Sequence, residues 1–295
     1  MNPIIMHVNY GEVKFNSFGS NTIDDVCAMA AELGFDGIEF RAAPQVELQN
    51  MPYDDFLALI EKGVKKYGIK MPLFSTILRN SASSDKAERD AEVKTMLQKV
   101  QKIHDIFGTT LFNTCGTTVL CKDPEAPATA MERHGSAAAN EDQWNWTVET
   151  YQQLAKSLET MGIKFAFETH MKYIHDTPAA SKKLVDDIGS PNIGINMDYG
   201  NTVYFPEMPS VEEAIDLYGD KLFYTHLKNS VTKPGGGRTP IALSQGEINH
   251  RTYLKKLKAV GFDGVIGIEG NRPGDRYQYA KDDLAYYKSV IDSIR

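Results

Sequence analysis

Short apolar runs alternate with longer amphipathic stretches along the chain, the pattern of successive βα units around a parallel sheet. Eight runs read as strands: Ile4–Asn9, Gly37–Phe40, Ile69–Ile77, Thr110–Asn113, Lys164–Thr169, Ile193–Met197, Leu222–Leu227 and Gly264–Ile268. The stretches between them read as helices. Asp24–Leu33, for example, opens on two acidic residues, favourable at the positive end of a helix dipole, and stops at Gly34. A phrase in which a helix ends on Gly and the next strand opens recurs at Gly34, Gly68, Gly162 and Gly261. Glycine takes the left-handed conformation just past a helix without a Cβ clash. A doubly wound open sheet would carry a glycine-rich phosphate loop after its first strand, and His7-Val8-Asn9-Tyr10-Gly11-Glu12 is not one. The expected fold is therefore α/β, a single (β/α)8 TIM barrel domain over residues 1–295. An extended loop over 115–142 follows strand 4, and a Gly-rich loop, Thr232–Pro240, follows strand 7.

Composition narrows the function classes. The 295 residues, 42% hydrophobic and 24% charged, suffice for a buried core. A net charge of −7 gives no electrostatic footprint for nucleic acid. No run of some 18 to 20 apolar residues suggests a membrane span, and the start shows no signal-peptide pattern, so a cytoplasmic protein is expected. Cys27, Cys115 and Cys121 include no CxxC pair, which signals neither a disulfide framework nor a thiolate zinc site.

In a barrel, chemistry belongs to the carboxyl ends of the strands. The last four strands close on Glu168, Asp198, His226 and Glu269, with separations of 198−168 = 30, 226−198 = 28 and 269−226 = 43, each compatible with one βα step. Polar residues often end parallel strands, to cap helices or to pair with lysines. Clustered carboxylates repel one another, however, and a divalent cation relieves that repulsion. Three carboxylates and an imidazole without thiolate make a hard site suited to Mn2+, Mg2+ or Co2+, with Zn2+ also compatible.

These residues, with Met197-Asp198-Tyr199-Gly200-Asn201, Thr225-His226-Leu227-Lys228-Asn229, Gly246-Glu247 and Ile268-Glu269-Gly270, resemble the xylose-isomerase-like barrel superfamily of sugar isomerases and epimerases, which also includes dehydratases and endonuclease IV. The resemblance implies one Mn2+-type ion held by Glu168, Asp198, His226 and Glu269. In ketose 3-epimerases the two glutamates also exchange the proton beside the substrate carbonyl, so it implies that role for Glu168 and Glu269, through a metal-stabilised enediolate. The partners it implies are a small sugar or polyol and further copies of the chain, with a heteromeric partner left open. The family pattern often has His where this chain has Asn201 and Asp where it has Asn229. Those departures keep a lyase reading alive beside the isomerase/epimerase one: an inosose-type dehydratase, or elimination from an oxidised, 3-keto glycoside. They also weigh against the endonuclease. A non-catalytic sugar-binding or partner subunit is the third reading, opposed by the retention of both glutamates.

Other residues have paired readings. His170 is a general base or substrate contact, or else orients Glu168. Lys228 stabilises a developing oxyanion or is solvated. Arg238 clamps a substrate oxygen or is a plain loop arginine. Trp144 and Trp146 stack on a sugar ring or pack on the barrel. His7 lines the pocket or is a core histidine, and Glu39 with Arg41 lines the pocket or forms an ion pair at the barrel mouth.

Overall fold

The computed structural model describes residues 2–10, 22–43, 51–117, 120, 124–234, 237–270 and 272–294. Ten strands occur among them: β1 (Ile4–His7), β2 (Gly37–Arg41), β3 (Met71–Leu78), β4 (Leu111–Gly116), β5 (Lys164–Glu168), β6 (Ile193–Asp198), β7 (Leu222–Leu227), β8 (Asn229–Thr232), β9 (Arg238–Ile241) and β10 (Val265–Ile268). The order β1-β10-β7-β6-β5-β4-β3-β2 closes a barrel, and β8 and β9 form a separate two-stranded sheet. Each of the eight expected apolar runs is a barrel strand, with ends displaced by a residue or a few.

The chain divides into two compact units, Met1–Ser75 with His226–Arg295, and Thr76–Thr225. In the first, β1 pairs in parallel with β10 and with β2, placing Ile5 beside both Gly267 and Gly37. A Cβ on Gly37 would lie 1.9 Å from the Met71 carbonyl oxygen, so this close strand approach requires glycine. Ile5, Met6, Ile38, Phe40, Ile268 and Tyr287 form part of its core. In the second unit, β4 pairs with β5 and β5 with β6, all in parallel. Phe112, Phe165, Phe167, Ile195, Leu184 and Tyr218 lie in its interior.

The helices start where side chains satisfy their open N–H groups. Thr22 with Asp25, Asn140 with Gln143 and Ser210 with Glu213 are capping boxes. The recurrent glycine phrase has its physical basis in Gly34, Gly68, Gly162 and Gly261, all left-handed with φ of 82°, 66°, 67° and 71°. Two features were not expected. The stretch after β7 is an antiparallel hairpin, Asn229 opposite Ile241 and Thr232 opposite Arg238. The stretch after β4 carries short 3-10 turns at Met131–Arg133 and Gly135–Ala137. Gly235, Gly236, Cys121 and parts of 115–142 lie outside the described residues. No helix is long and apolar enough to cross a membrane, among the described residues.

Candidate metal centre

Alternation along β2 puts Gly37, Glu39 and Arg41 on one face. The β1–β2 register sets His7 directly beside Glu39. Glu39, 0% exposed, meets His226 of β7, whose Nε2 lies 2.8 Å from Glu39 Oε2. His7 Nε2 is 3.8 Å from Glu39 Oε1, and the two imidazoles meet edge to face with centroids 5.4 Å apart. His7 Nδ1 accepts the Asn9 N–H at 3.1 Å.

Just past β10, Glu269 is held by two donors. Asn9 Nδ2 donates to Oε1 at 2.9 Å and Lys228 Nζ to Oε2 at 3.1 Å. Asn9 is itself fixed, its Oδ1 accepting from Arg41 and its carbonyl from Arg276, each at 3.0 Å. Burial alone would raise the Glu269 pKa. The charges of Lys228, His7 and His226 override that and hold the carboxyl well below the usual carboxylate range.

In the other unit, Glu168 closes β5 and Asp198 closes β6, both buried. Asn113 Nδ2 donates to Glu168 Oε2 at 2.9 Å, and Asn201 Nδ2 donates to Oε1 at 3.2 Å and to the Thr169 carbonyl at 3.1 Å. Asn196 Nδ2 in turn donates to Asn113 Oδ1 at 3.0 Å. A short line of buried amides thus orients the Glu168 carboxylate without adding charge.

Within one unit Glu168 and Asp198 offer ligand-type atoms within 4.8 Å of each other, and within the other unit His226 and Glu269 do the same. The donor set fits a hard divalent cation: three carboxylates and one imidazole whose far nitrogen faces a carboxylate.

The remaining sequence candidates are placed as follows. Lys228 meets Glu269. The extended run stops at Glu168, so His170 sits in the following turn, Nδ1 3.0 Å from the Met171 carbonyl and its ring edge-on to Tyr173. Arg238, on β9, donates to Ser230, Thr232 and Glu247, the last at 2.6 Å. Trp144, near the start of the helix Glu141–Met161, donates to Asp187 at 2.7 Å beneath the Lys183 ammonium. Trp146 faces Arg89. Asn229 is buried, its amide donating to the Leu243 and Ile248 carbonyls at 2.9 Å each. Asn113, Asn196 and Asn9, none of them singled out from the sequence, all support the two glutamates. From the sequence Glu39 reads as a pocket-lining residue or a member of a mouth ion pair, and only strand register reveals that it meets a histidine.

An inosose isomerase of Bacillus subtilis is 27% identical over 133 residues, 43% of this chain and 47% of that protein. The match thus spans less than half of that relative's length. The solved D-allulose 3-epimerase from Methylomonas sp., in complex with D-allulose, superposes with a TM-score of 0.71 at 20% identity, covering 98% of this chain and 97% of that one. A probable 3-DHS dehydratase involved in petrobactin synthesis, from Bacillus anthracis, gives 0.74 at 17% identity, covering 98% and 99%. The model of the xylose isomerase-like TIM barrel family matches residues 27–290, and the chain belongs to that family.

Proposed function

We propose that the chain is a divalent-metal-dependent sugar isomerase or epimerase that moves a proton next to a carbonyl. The reading rests on one observation above the others: two glutamates, the buried Glu168 and the largely buried Glu269, each gripped at both oxygens and each within 4.8 Å of a second ligand-type group of its own unit, Asp198 and His226 respectively. Glu168, Asp198, His226 and Glu269 would hold the ion, Mn2+ foremost. When bound, such an ion supplies Lewis-acid stabilisation of charge on a carbonyl oxygen.

The two glutamates have different surroundings. Lys228 keeps Glu269 ionised and therefore a firm ligand, but a carboxylate of low pKa is a weak base. Glu168 is oriented by the neutral amides of Asn113 and Asn201. We therefore assign removal of the proton to Glu168, with Glu269 as its counterpart in proton exchange. Lys228 flanks Glu269 and would meet substrate oxygens, as would Asn201 beside Glu168 and His170 just beyond it, whereas the His7 ring nitrogens face the Asn9 N–H and Glu39 instead. Arg238 and Trp144 are more distant candidates, engaged with Glu247 and Asp187.

The lyase reading draws on Asn201, an amide that bonds Glu168 where a titratable group would otherwise take part in reprotonation. Proton NMR in D2O of the Mn2+-loaded protein with free ketoses, inososes and 3-keto glycosides separates the two. Deuterium at the carbon beside the carbonyl, lost in Glu168→Gln, is the expected result. An unsaturated product or released aglycone moves the chain to the lyases. A metal-loaded protein that exchanges nothing with any of these sugars fits a binding subunit. Chelation with EDTA should abolish exchange and Mn2+ should restore it.

A further inference from the structure

The structure assigns Glu39 a role as positioning residue for His226: it keeps the His226 proton on Nε2, leaving Nδ1 as the nitrogen that coordinates. The inference rests on the reading that His226 is one of four ligands to a divalent cation. Its geometry lies wholly within one unit, on β1, β2 and β7.

Two ring nitrogens compete for the single proton of a neutral imidazole, and the hydrogen bond made by one fixes the role of the other. His226 Nε2 lies 2.8 Å from Glu39 Oε2, with both side chains wholly buried. A lone pair facing a carboxylate at that distance is repulsive, so the proton belongs between them. His226 Nδ1 is then unprotonated, and it lies 3.5 Å from Glu269 Oε2, on the side of the ligand cluster. Carboxylate–imidazole–metal chains of this kind set both ring orientation and ligand basicity.

His7, Glu39 and His226 also offer three ligand-type atoms within 4.8 Å of one another, which raises the alternative of a second ion there. The hydrogen bonds oppose it. The Asn9 N–H occupies His7 Nδ1, so the His7 proton is on Nε2, the nitrogen 3.8 Å from Glu39 Oε1. Both imidazoles therefore turn N–H groups toward Glu39, where an incoming cation would need lone pairs.

The test begins with metal-free protein carrying 15N-labelled histidine, near pH 8, where neutral imidazole prevails (unperturbed pKa about 6.5). Long-range 1H–15N spectra, assigned by the signal missing in His226→Gln, should show His226 protonated on Nε2. Glu39→Gln should mix the tautomers and weaken Mn2+ affinity about tenfold to a hundredfold. Stoichiometry should stay at one ion per chain in both proteins. Protonation on Nδ1 in the wild type overturns the inference, as does an unchanged Mn2+ affinity in Glu39→Gln. A second Mn2+ per chain that Glu39→Gln abolishes overturns it too, making Glu39 a ligand. A wild type that takes up no divalent cation defeats the metal reading instead, and the tautomer then decides on its own whether Glu39 orients His226.

Discussion

Asn113 stands between Asn196 and Glu168, accepting from one and donating to the other. A hydrogen bond to a charged group contributes about 1.5–3 kcal/mol when its partner is removed. Asn113→Ala should therefore lower kcat about tenfold to a hundredfold, with KM little changed, because the loss falls on orientation of the carboxylate to which we assign proton removal. Asn196→Ala should cost less, and the double variant less than the sum, since the two amides act in series. Steady-state kinetics of the three variants measure this, and full additivity would show that the amides act separately. The four candidate ligands could be picked out of the sequence because each lies at or next to the carboxyl end of an apolar run, where barrel chemistry is expected. Their supporters could not. Glu39, Asn113 and Asn196 are polar residues within or at the edge of apolar runs, and nothing local says whom they meet. Register says it: His7 beside Glu39, and Glu168 beside Asn196.

At the scale of elements, the eight strands were readable because each is an apolar run closed by a turn signal, and the glycine stops because a left-handed residue is needed there. The hairpin β8–β9 was not, since its stretch is polar and rich in glycine and proline, and reads as loop. What fixes it is Asn229, whose Oδ1 accepts the Ser230 and Ile248 N–H groups at 3.0 Å each. A Cβ on Gly246 would lie 2.0 Å from that oxygen. Gly246→Ala must push the buried amide aside, and overpacking of this sort costs about 1–3 kcal/mol. The urea midpoint of Gly246→Ala should fall accordingly. Thr22→Ala, which removes the capping box of the helix Ile23–Leu33, should cost about 1 kcal/mol. If Gly246→Ala is as stable as wild type, Asn229 does not anchor the hairpin.

For the whole molecule, the consequence of burying imidazoles is acid sensitivity. Burial pushes the pKa of His175 and His250 from 6.5 down to about 4, so both stay neutral in the folded chain while the unfolded chain takes up protons below 6.5. Their contribution to stability is complete above 6.5 and is lost as pH falls toward 4. Between pH 7 and 5 each loses about 2 kcal/mol. Asp176 works the other way: burial raises its carboxyl from 3.8 to about 6, so the folded chain binds a proton that the unfolded chain does not. Its contribution is present at low pH and lost as pH rises through 6, so that acidification returns about 1 kcal/mol over the same interval. The Glu269 carboxyl, held well below its usual range, titrates beneath this window. The three groups together predict that unfolding free energy from urea titration falls by about 2 kcal/mol from pH 7 to pH 5. His250→Gln removes one of the two titrating imidazoles and should flatten that slope by about 2 kcal/mol, bringing it close to zero. The His250 ring sits against the Leu243 carbonyl at 3.2 Å, so the variant will also start from lower stability, and the slope rather than the absolute value is diagnostic. Equal slopes in the two proteins would mean that the His250 site admits protons, and with them water, in the folded state.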